Sequence, residues 1–184
     1  MWKSTAVYLL PLGLSLAGVP AFAGSAPQPK VVTAGHASSS IKLDGKLEES
    51  VWNEEATAVQ LVQQSPNPRA PSPYRTSVRT IVQDNRLYFG FECIDPDPAA
   101  VAIHTMRRDG DVEGDDTVAV VLDTYGDHRT GYYFRINAAG ARVDGLIAGS
   151  ERPSLDWDGI WDARTGGHRF ERVPPSIPAV TVAD

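Results

Sequence analysis

The sequence is short of most things that would make it an enzyme, a nucleic-acid binder or a membrane span. It has a single cysteine, Cys93, so no internal disulfide can form, and stability must come from packing or bound ions. Basic residues are outnumbered: 17 Lys and Arg face 23 Asp and Glu. That balance argues against nucleic acid or anionic membrane surfaces, which call for clustered positive charge. The four histidines, His36, His104, His128 and His168, are scattered without the spacing of a zinc site or a catalytic triad. Carboxylates are plentiful, but they sit in turns and one loop. No pair is framed across a cleft as glycoside hydrolysis requires. Haem ligation through Met106 lacks an evident second ligand. A catalytic role, as part of a glycoside hydrolase or otherwise, is therefore not expected, and a haem-binding sandwich is a remote alternative.

Long apolar runs are also scarce. The one candidate, Ala6–Phe22, is broken by Pro11, Gly13, Gly18 and Pro20, whereas a membrane-spanning helix needs about 20 apolar residues. With Lys3 before it and Ala21-Phe22-Ala23 closing it, residues 1–23 read as a signal peptide cleaved before Gly24. Export places the protein in the periplasm, at the outer membrane or outside the cell. Without Lys3, 16 basic residues remain against 23 acidic ones. The remaining chain of about 160 residues is enough for one domain with a core.

What is present is β-pattern. Residues 24–40, rich in Ala, Ser and Pro, read as a flexible leader. Ile41–Leu43 alternates as a short strand, and Lys46–Glu55 has the spacing of one or two helical turns, with Leu47, Val51 and Trp52 on its apolar side. Short strands are expected at 58–63, 77–83, 87–95, 117–124, 131–137 and 141–147. Hairpin turns at Asp84-Asn85 and 138–140 join two pairs of them. Phe89, Phe91 and Cys93 share one face, which makes Cys93 a small buried apolar residue. The expected fold is all-β: an antiparallel, jelly-roll-like β-sandwich over residues 41–165, with one short helical turn near the N-terminus. Residues 166–184, broken by Gly166-Gly167, Pro174-Pro175 and Pro178, read as a linker or an aberrant, truncated tail.

Two groups of residues carry chemistry. Between Arg107 and Asp116 an acidic loop contains Asp109, Asp111, Asp115 and Asp116, with Gly114 free to turn sharply. Close-set carboxylates of this kind suit structural calcium. A helix-loop-helix calcium site is excluded, because Val120 stands where the closing bidentate Glu belongs and no helices flank the loop. The second group is Trp157-Asp158-Gly159-Ile160-Trp161. An exposed tryptophan stacks on the apolar face of a sugar ring while neighbouring Asp and Arg hydrogen-bond its hydroxyls. Trp157, Trp161 and Asp158, with Arg107, Arg108 and Tyr133, are the candidate saccharide contacts. Trp52, by contrast, belongs to the core.

Several segments match a known pattern. They are Ile-Lys-Leu-Asp-Gly-x-Leu-x-Glu-x-x-Trp-Asn at 41–53, Leu-Tyr-Phe-Gly-Phe-Glu-Cys-x-Asp-Pro-Asp-Pro at 87–98, the strand at 116–123, Arg-Thr-Gly-Tyr-Tyr-Phe-Arg-Ile-Asn at 129–137, and Trp-Asp-Gly-Ile-Trp at 157–161. Together they resemble family 9 carbohydrate-binding modules, in particular the N-terminal module of long secreted bacterial proteins. The resemblance implies a β-sandwich that holds polysaccharide or oligosaccharide through aromatic side chains, often with structural calcium. It also implies association with the outer membrane through a C-terminal region that this sequence does not include. The alternative is a scaffold or docking domain of a periplasmic or outer-membrane protein that binds no sugar. Residues 166–184 lack the amphipathic closing strands of the family.

Overall fold

A computed structural model describes residues 5–7, 33–54, 59–72, 74–149, 152–166 and 179–183. Its elements are β1 (Thr5–Val7), β2 (Gly35–His36), α1 (Val51–Glu54), β3 (Val59–Gln60), β4 (Arg75–Gln83), β5 (Arg86–Ile94), β6 (Thr117–Leu122), β7 (Thr130–Asn137), β8 (Arg142–Ala148), β9 (Trp161–Arg164) and β10 (Ala179–Ala183). They form two sheets. One has the order β1-β6-β7-β8; the other runs β2-β4-β5-β10-β9, with β3 added on β4. The long ladders are all antiparallel, and only the short β1 and β2 pair in parallel, with β6 and β4. The all-β sandwich expected from the sequence is what forms.

Strand periodicity explains the layering. Successive side chains point to opposite faces, so alternate residues of each central strand meet between the sheets. Val78, Phe91 and Cys93 come from one sheet and Val118, Val120, Phe134 and Ile136 from the other, joined by Trp161 and Ala163. The space among Phe91, Val118, Val120, Phe134, Ile136 and Trp161 does not admit a water molecule, so the sandwich interior there is packed core and not a ligand cavity. Cys93 is buried, and desolvation pushes its thiol up to about 12. It is an inert part of the core, as its place in the alternation predicts.

The outer face of the second sheet has its own cover. Ile81 and Tyr88, paired across β4 and β5, pack with Val51 and Trp52 of α1. Trp52 is fully buried, and its indole nitrogen donates to Glu49 at 3.1 Å. It lies directly over Gly90, where an added Cβ would come within 2.8 Å of Trp52 Cζ3 and 2.9 Å of Leu47 Cδ2. The expected helical segment is therefore confined to four residues. Ile41–Leu43 is not a strand: Ile41 and Leu43 instead pack against the Trp52 cluster, and Lys42 N donates to the Glu49 side chain at 2.9 Å. Those amides go to side chains, which leaves no ladder to join.

Both hairpins form where the turn residues predicted them. Asp84 takes a positive φ of 52° between β4 and β5, and Gly140 one of 89° between β7 and β8. At the chain ends, the expected cleavage site at 21–23 and residues 167–178 lie outside the described residues. Thr5–Val7, inside the expected signal peptide, pairs along β6. Ala179–Ala183, inside the expected tail, pairs between β5 and β9. Replacing Gly90 tests the packing of α1. Gly90→Ala forces Trp52 and Leu47 aside and is expected to cost about 1–3 kcal/mol. Urea unfolding measures it, and an unchanged midpoint would show that Trp52 does not sit on this glycine.

Candidate functional site

One buried carboxylate organises the surface beside β8. Asp144 pairs with Phe134 across β7 and β8 and is 1% exposed. A charge at that depth needs partners, and three arrive from two loops and the start of β9. Arg108 Nη2 donates to Oδ1 at 2.9 Å, Trp161 Nε1 donates to the same oxygen at 3.0 Å, and the Gly159 amide donates to Oδ2 at 2.5 Å. Arg108 also bonds the exposed carboxylate of Asp158, and its Nε lies 3.3 Å from Asp109. The loop leading to β6 and the loop between β8 and β9 are thus tied to each other and to the edge strand of their sheet.

This latch sets the two tryptophans apart. Trp161 is 5% exposed; its ring meets Phe134 edge-on at 5.2 Å, and the Arg142 guanidinium stands 5.7 Å from it. It is core, so the expectation that it stacks on a sugar is corrected: its nitrogen serves Asp144 and its ring fills the sandwich. Trp157 is only partly buried. Its ring leans on Tyr132 at 5.1 Å and on Phe134 at 5.9 Å, and a Cβ on Gly159 would intrude into it. These contacts hold the ring in one orientation at the end of the core, and its chain neighbour Asp158 is bonded by Arg108.

The other predicted contacts divide. Arg108 bonds Asp158, the residue after Trp157. Arg107 is exposed, and its amide donates to Thr105 Oγ1 at 3.2 Å. Tyr133 lies between Tyr132 and Phe134 in β7 and so faces away from Trp157. Arg135 is committed to Thr117 Oγ1 at 3.0 Å and to the Val112 carbonyl. Asp144 escaped the sequence reading. The available signal was an acid in the middle of a β-run, at an inward position.

The acidic loop is ordered by its own bonds. Asp115, 2% exposed, accepts from the His104 amide and ring at 2.6 Å and from Asn137 Nδ2 at 2.7 Å. Burial pushes its carboxyl up, but the bonds from Asn137, His104 and the Thr105 amide outweigh this and hold it below the ordinary aspartate range. Asp116 behaves oppositely. One oxygen accepts from the Ala102 amide at 2.8 Å, and the other is buried without a partner. Burial, with Asp95 and Asp115 nearby, raises its pKa despite the Ala102 bond. Asp109 turns to Arg108, and Asp111 accepts from the Glu113 amide at 2.9 Å. Asp109, Asp111, Asp115 and Asp116 do not converge, and no three His, Cys, Asp or Glu side chains among the described residues are grouped to hold a metal ion. The donor set therefore does not fit the calcium cage expected from the sequence.

With this geometry the class is defined at the level of fold: a two-sheet sandwich of the family 9 carbohydrate-binding module type. Two solved structures carry that statement. A protein from Bacteroides uniformis, provisionally described as carbohydrate-binding, aligns at a TM-score of 0.59 with 17% identity over 82% of this chain and 71% of its own. A family 9 carbohydrate-binding module from Caldicellulosiruptor kristjanssonii, solved with cellotriose, aligns at 0.52 with 17% identity over 82% of this chain and 66% of its own. At such identity the likeness is one of fold. No protein-family model matches the sequence, and no curated protein does.

The neighbouring acids give opposite pH responses. Asp115, with its pKa lowered, contributes stability that is present above about pH 4 and lost as the pH falls through its folded value. Asp116, with its pKa raised, disfavours the folded state increasingly as the pH rises from about 4 through its folded value. Asp115→Ala, which strands Asn137, is expected to cost about 1–3 kcal/mol at pH 7. Asp116→Asn is expected to raise the melting temperature at pH 7 and leave it nearly unchanged near pH 4. Melting curves of both variants across this range provide the check, and shifts of the same sign at pH 7 would refute the assignment.

Proposed function

We propose that this chain is an exported, non-catalytic carbohydrate-binding module that takes a neutral oligosaccharide or polysaccharide at the surface formed by Trp157, Arg108 and Asp158. The observation that carries the reading is Trp157 itself. It is a partly exposed indole fixed against Tyr132 and Phe134, and the next residue, Asp158, carries an exposed carboxylate bonded to the Arg108 guanidinium. An indole offers a sugar ring an apolar platform, and the polar pair offers both donors and an acceptor to its hydroxyls. The two structural neighbours support the same reading, since one is described as carbohydrate-binding and the other holds cellotriose.

The charge at this surface favours a neutral ligand over an acidic one. Arg108 is shared among Asp144, Asp158 and Asp109, so a uronate would meet a surplus of negative charge. Export to the periplasm, the outer membrane or the exterior follows from the leader sequence, and a sugar module tethered to a larger envelope protein suits that location. A scaffold or docking domain without sugar binding is the outcome that the experiment would reveal if the reading fails.

Affinity electrophoresis on immobilised polysaccharides, preceded by a glycan array, tests the proposal. Wild type should be retarded by at least one neutral glycan. Trp157→Ala should lose about tenfold or more in affinity, in line with about 1.5 kcal/mol for an aromatic platform, at a temperature where the variant is still folded. Arg142→Ala, which perturbs the Trp161 side, should bind nearly as wild type does. Binding of uronic-acid polymers alone, or of no glycan at all, would overturn it.

A further inference from the structure

The turn between β6 and β7 is built more firmly than a simple connection needs. Asp123 accepts from the amides of Gly126 at 2.7 Å, Asp127 at 3.3 Å and His128 at 2.8 Å, and its Oδ2 lies 3.1 Å from the His128 ring. Asp127 accepts from the Arg129 and Thr130 amides at 2.8 and 2.7 Å and from the Thr130 hydroxyl at 2.8 Å. The Gly149 amide donates to the Arg129 carbonyl at 2.7 Å, which ties this turn to the loop carrying Trp157. The framework leaves Tyr125 pointing into water, 78% exposed. It is the most exposed aromatic side chain among the described residues.

Its place matters more than its exposure, since single apolar side chains on a surface are ordinary. Leu122, the last residue of β6, is in register with Tyr132, and Tyr132 is the residue against which Trp157 rests. Tyr125 follows Leu122 by three residues, so the two aromatics stand at the same end of the sandwich. At most about 3.5 Å of chain per residue separates Tyr125 from the Leu122–Tyr132 row. Rigid aromatics presented by prearranged loops cost little entropy on binding.

We propose that the ligand surface extends from Trp157 to the β6–β7 turn, with Tyr125 as a second stacking platform for a sugar residue further along the chain. The site therefore selects oligosaccharides over mono- and disaccharides. This rests on the carbohydrate-binding reading above and adds chain length to it. His128 and Arg129, beside Tyr125, supply polar contacts at the far end.

Calorimetric titration with gluco-, xylo- and manno-oligosaccharides from disaccharide to hexasaccharide tests the extension. Wild-type affinity is expected to rise with length. Tyr125→Ala should lose about tenfold on the hexasaccharide, with the disaccharide unaffected, and Tyr125→Phe should restore it. Trp157→Ala should weaken every length. Length-independent affinity in the wild type, or a Tyr125→Ala variant equal to wild type on the hexasaccharide, would overturn the extension while leaving the Trp157 site standing. Absence of binding by the wild type to every oligomer would overturn both.

Discussion

The buried carboxylate of Asp144 is the constraint on which the Trp157 side of this sandwich depends. A charge placed inside a sheet pair is unfavourable unless every lone pair is used, and removing one partner leaves a penalty of several kcal/mol. Here the partners are Arg108, the Trp161 indole and the Gly159 amide. Arg108 and Gly159 come from loops, and Trp161 from the start of β9. The loop ahead of β6, the turn ahead of β9 and the edge strand β8 become one unit. Trp157 inherits its position from that unit, because it lies two residues before Gly159 and rests on the strand that pairs with Asp144.

The acidic loop is stabilised by the same logic. Five acids in the short stretch between Arg107 and Asp116 suggest a cation. The fold instead distributes them. Asp115 goes to Asn137 and His104, Asp116 to Ala102, Asp111 to the turn and Asp109 to Arg108. Hydrogen bonds from amide and imidazole groups hold these carboxylates, and the opposed pKa directions of Asp115 and Asp116 record how unequally they are shared.

The architecture was largely legible. Alternation in 87–95 and 131–137, and the Asp84-Asn85 and 138–140 turns, place the central ladders, because period-two patterning and turn chemistry are local properties. The core roles of Trp52 and Cys93 were legible for the same reason. The site was legible only in part. Arg108 and Asp158 bond each other, and Trp157 precedes Asp158 in the chain. Trp161 looked equivalent to Trp157 in sequence, yet it begins a strand whose inward face is decided by the ladder it joins. Asp144 was hidden because its meaning lies in partners 15, 17 and 36 residues away. Long-range pairing of this kind leaves no local periodicity to read.

Trp157, not Trp161, is the tryptophan we propose to meet a carbohydrate, positioned through the Asp144 latch. Side-chain indole resonances in a nitrogen–proton correlation spectrum report each tryptophan separately. Titration with cellotriose and with the glycan chosen by the array is expected to move the Trp157 Nε1–H signal, while the Trp52 and Trp161 signals stay in place. A spectrum in which Trp157 is unmoved at saturation, or in which Trp161 alone shifts, would contradict the account.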